Sequence, residues 1–72
     1  MNNIAYQISE LKRAMMNIRV DLKSFEKTYR FSSDDFYSRF NGGDIEDTED
    51  FILWAGLYEM LVENENRMKA LS

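Results

Sequence analysis

The chain has 72 residues and a formal net charge of −4 at pH 7, and it contains neither cysteine nor histidine. Disulfides, thiolate metal sites and catalysis by cysteine or histidine are therefore excluded, which leaves carboxylates, lysines and hydroxyls as the catalytic inventory. A domain of this size buries only about 60% of the surface of its unfolded chain, so we expect a single domain, residues 1–72, that depends on close packing or on a partner.

A heptad pattern predicts a first helix over about 3–30. Apolar residues recur at alternating gaps of four and three, and no proline or glycine interrupts them. Such a seam needs a partner helix, either from the rest of this chain or from a second copy. Its positions are Ile4, Ile8, Leu11, Met15, Ile18, Leu22, Phe25 and Tyr29. A shorter strip, formed by Tyr6, Met16 and Val20, either widens this core face or binds a partner.

Signals for the start of a helix follow directly. Ser32 is placed to cap a helix, and Asp35 stands three residues later, where a capping box has its acid. Phe31 and Phe36 have the spacing of a hydrophobic staple. These signals predict a short second helix over about 33–40, ended by the glycine pair that follows it. A helix of two turns cannot be stable alone.

An acidic segment with five carboxylates in seven residues precedes the third helix. Asp47 or Thr48 can cap that helix, and acids in its first turn match the positive end of the helix dipole. The spacing lacks the central glycine and the terminal glutamate of an EF-hand, which argues against calcium binding. A surface that binds a basic protein is the functional alternative. Its candidate residues are Asp44, Glu46, Asp47, Glu49 and Asp50.

The third helix, predicted over about 48–70, is apolar on nearly every side in its first half, which is typical of a helix buried on several sides. One side can cover the first helix, but so short a chain has too little other structure to cover the rest, and we infer a second molecule. Gly56 in a helix interior costs about 1 kcal/mol relative to alanine, and close approach of another helix at Ala55-Gly56 would explain it. The core or oligomer positions expected here are Phe51, Trp54, Tyr58 and Leu61.

Charge is divided unevenly along the chain. Residues 1–31 carry six basic and three acidic side chains, whereas residues 32–72 carry three basic and ten acidic ones. This division favours pairing of the two halves, within a chain or between copies, and disfavours nonspecific nucleic-acid binding by the whole molecule. No apolar run reaches the ~18 residues of a membrane span, and no signal peptide is evident, so we expect a cytoplasmic protein.

Two stretches carry a resemblance to a known group. They are YRFSSDDFYSRF at residues 29–40 and DFILWAGLYEM at residues 50–60, with Gly43-Asp44 between them. Residues 22–62 resemble small bacterial and archaeal helical proteins that share a YGxSSxxFYxxFxxGxLxDxxDFxxWA pattern and are regarded as antitoxin-like partners of small toxins. The chain departs from this pattern at Arg30-Phe31, where glycine and an aliphatic residue are usual. The resemblance implies no catalytic residue, because an antitoxin acts by occluding its partner.

We predict an all-α fold in which a long N-terminal helix, a short middle helix and a C-terminal helix form a helical hairpin, and the hairpin assembles into a dimeric or larger helix bundle. We expect no enzymatic activity, no cofactor and no metal site. The leading function is an antitoxin-like interaction module whose partners are a second copy of itself and a small toxin. The alternatives are a homo-oligomeric adaptor or structural protein and a small DNA-binding regulator that uses the basic half of the first helix. A membrane partner is not expected, and nucleic acid is expected only for the regulator.

Overall fold

The structure, a computed structural model, describes residues 3–71. These residues form three α-helices and no strand: α1 (Ile4–Tyr29), α2 (Ser33–Asn41) and α3 (Glu49–Leu71). The all-α prediction is confirmed, and every helix begins and ends within one residue of its predicted boundary. Assembly into a dimeric or larger bundle stays a prediction.

The helices α1 and α3 pack antiparallel as a hairpin. The ring of Phe25, near the end of α1, stacks on Trp54, near the start of α3, with 5.4 Å between the ring centroids. Farther along the hairpin, the Arg19 guanidinium lies 3.3 Å from the Glu65 carboxylate. The α1 seam therefore has a partner helix within the chain.

The α1 seam is covered most fully in its middle, and its buried side chains are Met15, Ile18 and Leu22. At its two ends, Ile4 and Tyr29 remain 41% and 39% exposed. The shorter strip of Tyr6, Met16 and Val20 is more than 60% exposed at each position. These three side chains do not widen the core within the chain, so the first interpretation of that strip is wrong for the monomer.

A left-handed residue ends α1. Arg30 has φ of 55° and ψ of 52°, and the next amide, of Phe31, donates to the Glu26 carbonyl at 3.3 Å. Glycine adopts this conformation without cost, whereas a side chain such as that of arginine crowds the backbone. The backbone at Arg30 is therefore strained.

The predicted start of α2 is confirmed. The Ser32 hydroxyl accepts a hydrogen bond from the Asp35 amide at 3.2 Å, which satisfies one of the free donors of the first turn. The rings of Phe31 and Phe36 meet edge to face across this boundary, with centroids 6.4 Å apart, as a hydrophobic staple does. The chain consequently enters α2 at a fixed angle to α1.

A second cap starts α3. The Thr48 hydroxyl accepts from the Phe51 amide at 3.1 Å, and the loop before it turns at Gly43, where φ is 82°. Of the two predicted capping residues, Thr48 is therefore the one used.

The centre of the core is a stacked aromatic pair. Trp54 and Phe36 are fully buried, and their rings lie parallel with centroids 3.9 Å apart. The indole Nε1–H of Trp54 donates to the buried hydroxyl of Ser33 at 2.9 Å, so the polar atom of the largest core side chain is satisfied. Ala55 is 5% exposed and belongs to the same core. This cluster fixes α2 against the start of α3.

Candidate protein-binding surfaces

Three tyrosine–carboxylate pairs hold the helices at the edge of the core. In each pair a phenol donates to a carboxylate on another helix: Tyr29 to Asp50, Tyr37 to Glu59 at 2.6 Å, and Tyr58 to Asp34 at 2.6 Å. The hydrogen bond to the carboxylate, helped by partial burial, raises the pKa of all three phenols, and it raises the pKa of Tyr58 to about 12. These three carboxylates therefore contribute to the packing of the helices.

The carboxylates of the acidic segment therefore have two different roles. Asp50, one of its five predicted binding residues, is occupied by Tyr29. Glu46, Asp47 and Glu49 are exposed, and no other side chain within residues 3–71 forms a hydrogen bond or an ion pair with them. Uncompensated carboxylates in one short segment produce a local negative potential that attracts a basic surface.

The outward side of α3 is an exposed apolar surface beside this segment. Ile52, Leu53 and Met60 are each more than half exposed, at 55%, 55% and 52%. Met60 is two residues away from both Tyr58 and Val62. At about 100° of rotation per residue, its side chain lies on nearly the opposite side of the helix from theirs. Because Tyr58 stacks on Tyr37 of α2, with centroids 4.8 Å apart, the Met60 side of α3 points away from α2. Gly56 lies on this outward side as well.

The outward side of α1 is apolar at its centre and basic around it. Met16 and Val20 lie there, 64% and 63% exposed, in a shallow depression that Lys12, Arg19 and Lys23 also line. A surface of this kind suits an acidic partner and repels another copy of itself.

An open groove of about 510 Å³ runs between the end of α2 and the second half of α3. The stacked rings of Tyr37 and Tyr58 line this groove, together with Val62, Ala70 and several polar and charged side chains of α3. The carboxylate of Glu59, which also lines the groove, already accepts a hydrogen bond from Tyr37, so the groove offers mainly apolar surface to a ligand.

The described part of the chain, residues 3–71, contains no group of three or more carboxylates placed to hold a metal ion. Within the same residues no helix is long and apolar enough to cross a membrane. Every buried side-chain polar atom there has a hydrogen-bond partner, so none is left over to bind a ligand inside the core.

The geometry is that of a small helical hairpin with exposed apolar and charged sides. The chain matches no protein-family profile, no curated protein and no solved structure.

The structure separates the predicted positions into core, contact and surface residues. Trp54 and Leu61 are buried, and Phe51 and Tyr58 are half-buried against the aromatic core. Ile8 and Leu11, toward the start of the α1 seam, are half-buried as well. Of the outward positions of α3, the sequence pointed to Gly56 but not to Ile52, Leu53 or Met60. The spacing of these residues along α3 was a usable signal. The sequence of a helix that is apolar on every side, however, does not reveal which side the fold leaves exposed.

Proposed function

We propose that the chain is a non-catalytic helical interaction module that acts in the cytoplasm, as an oligomer, by binding and neutralising a small toxin. The observation that carries this proposal is the set of unpaired carboxylates in the acidic segment, those of Glu46, Asp47 and Glu49, which lie beside the exposed apolar side of α3. The resemblance of residues 22–62 to antitoxin-like proteins supplies the kind of partner.

The two parts of this surface do different work in binding. Exposed carboxylates steer a basic partner and raise the association rate, with a dependence on salt. Exposed apolar side chains supply the affinity, because their removal from water is favourable by about 25 cal/mol per Å² of surface buried. A toxin that acts on nucleic acid has a basic surface of the required sign.

The first test is genetic and direct. The gene beside this one is expressed alone and then together with this chain, and cell growth is measured. We expect a basic neighbour to arrest growth when it is alone and to be harmless in the presence of this chain. No effect on growth by any neighbouring protein would contradict the toxin proposal.

The second test examines the acidic segment with the purified pair. Asp44→Asn, Glu46→Gln and Asp47→Asn together remove three charges, while Thr48 still caps α3 and Asp50 still accepts from Tyr29. We expect association with the toxin to slow by about tenfold at low salt, with helicity unchanged. The matched control neutralises three exposed acids elsewhere: Glu10, Asp21 and Asp35. Equal association rates for the two triple variants would refute the acidic surface.

The basic outward side of α1 favours one alternative, a DNA-binding regulator, because Lys12, Arg19 and Lys23 surround a single depression. Binding of this chain alone to duplex DNA, with affinity that falls steeply as salt rises, would favour that alternative. An intact oligomer that neutralises no neighbour and binds no DNA would favour the adaptor.

A further inference from the structure

The outward side of α3 carries a second heptad series that the core of the chain does not use. Its gaps are four, three, four, three and four, which place all six positions along one side of the helix. Spread over 18 residue steps, the series is about 27 Å long. Leu53 and Met60 at its centre are 55% and 52% exposed. The six positions are Glu49, Leu53, Gly56, Met60, Glu63 and Arg67.

Contacts within the chain do not require a glycine at position 56. A Cβ atom built on Gly56 meets no atom within 4 Å, and its backbone is ordinary right-handed helix. The glycine instead leaves a depression between Leu53 and Met60 on an exposed apolar side. A helix that approaches from outside can place a large side chain there, which alanine or leucine would obstruct.

The series is complementary to itself in one arrangement. When two copies of α3 cross antiparallel about a midpoint between Gly56 and Met60, each methionine faces the glycine depression of the other copy. In the same register Glu49 of each copy meets Arg67 of the other at both ends of the contact. Arg67 is already bonded to Glu63 at 2.8 Å, so it would bridge two carboxylates.

Two other arrangements of the same two helices bring like charges together. Parallel helices would place Glu49 against Glu49 and Arg67 against Arg67. An antiparallel crossing centred on Gly56 would place Glu49 against Glu63. Charge repulsion therefore disfavours both. The register centred between Gly56 and Met60 pairs Met60 with Gly56 and Glu49 with Arg67, and it places Leu53 of each copy against Glu63 of the other.

We propose that a second copy of this chain docks on this series, with the two α3 helices antiparallel and Met60 of each copy over Gly56 of the other. The inference rests on the proposed function, which requires an oligomer, and it specifies the surface, the orientation and the register of that oligomer. The second copy then covers Leu53 and Met60. The surface left for the heterologous partner consists of Asp44, Glu46 and Asp47, which precede the contact in sequence, and of Ile52, which lies outside the series.

Sedimentation equilibrium of the purified chain tests the register. At ~100 µM, a concentration suited to a contact at the small end of the interface range, we expect a mass of twice 8.6 kDa. Glu49→Arg and Arg67→Glu, each alone, should raise the dissociation constant by at least ~tenfold, because each places like charges together. The double variant restores the opposite charges in reversed order and should return the constant to within ~threefold. Helicity measured in parallel shows that the variants are folded.

A second variant tests the depression without risk to the fold. Gly56→Leu places a good helix former in open space, so we expect the monomer to keep or gain helicity, while the dimer weakens by at least ~tenfold. The matched control, Val20→Gln, removes an exposed apolar side chain from α1 and should leave the dimer unchanged.

Several results would overturn this interface: a chain that stays monomeric at ~100 µM, a dimer indifferent to Glu49→Arg or Gly56→Leu, or a double charge reversal that fails to restore association. Failure of the proposed function would look different. A dimer with all the expected mutational effects that neutralises no toxin would leave the interface standing, whereas a monomer that neutralises a toxin would remove only the interface.

Discussion

The buried hydrogen bond between Trp54 and Ser33 offers a direct test of the core. Trp54 is fully buried, and Ser33 is 4% exposed. The Ser33 hydroxyl accepts from the indole nitrogen at 2.9 Å. Ser33→Ala removes this acceptor and leaves an N–H group with no partner in a site closed to water. Removing one partner costs the desolvation of the other, which exceeds the net value of an ordinary hydrogen bond.

The expected loss is about 1–3 kcal/mol in the free energy of unfolding. For a domain of 60–100 residues each kcal/mol lowers the melting temperature by about 4–8 °C, so the variant should melt at least ~4 °C lower. Total stability of small domains is about 0.05–0.15 kcal/mol per residue, so a loss near the upper limit would leave little folded protein at 37 °C.

Urea and thermal unfolding, followed by circular dichroism at one protein concentration, measure this loss. Ser38→Ala, at an exposed serine in the same helix, is the matched control and should change stability by less than about 0.5 kcal/mol. A double-mutant cycle with Trp54→Phe isolates the interaction energy of the Trp54–Ser33 pair, because phenylalanine has no N–H group that Ser33→Ala could leave without a partner. A coupling energy below about 0.5 kcal/mol would refute the role given to this hydrogen bond.

Two further predictions concern the turn after α1 and the tyrosine pairs. Arg30→Gly should raise the free energy of unfolding by about 0.5–1 kcal/mol, because glycine relieves the left-handed strain at φ 55° despite the larger entropy of its unfolded state. The control variant Arg30→Ala should give no gain. Equal effects of the two variants in urea unfolding would contradict the strain. Because the pKa of the Tyr58 phenol is raised from 10.0 to about 12 in the folded chain, its bond to Asp34 stabilises the fold fully below about pH 10 and is lost as pH rises toward 12. Tyr58→Phe should therefore show a smaller fall in the urea midpoint across that interval, and an unchanged fall would count against the pairing.

Local chemistry explains why the helix boundaries were predictable. The caps at Ser32 and Thr48 satisfy backbone donors within three residues, so their signals lie entirely in short stretches of sequence. The same holds for the hydrophobic staple between Phe31 and Phe36. The strain at Arg30 follows from its left-handed backbone conformation, which local sequence signals do not reveal.

Long-range pairing was not predictable in the same way. The heptad of α1 required a partner helix but could not distinguish α3 of the same chain from a second copy. The tyrosine–carboxylate pairs join residues 21 to 24 positions apart, and no spacing rule connects them. Which side of α3 would remain exposed depended on how α2 covers Tyr58, a matter of three-dimensional packing.

The fold pairs few of the charges that are distributed unevenly between the two halves of the chain. The sequence favoured pairing between a basic first half and an acidic second half, yet among residues 3–71 only Arg19 and Glu65 form an ion pair between the halves. The other two ion pairs join neighbours within one helix. Exposed pairs contribute at most about 1 kcal/mol each, so one such pair does not explain a division of this size through stability. Charges that remain separated on the basic side of α1 and in the acidic segment act at longer range, and we infer that their effect is on the encounter with other molecules.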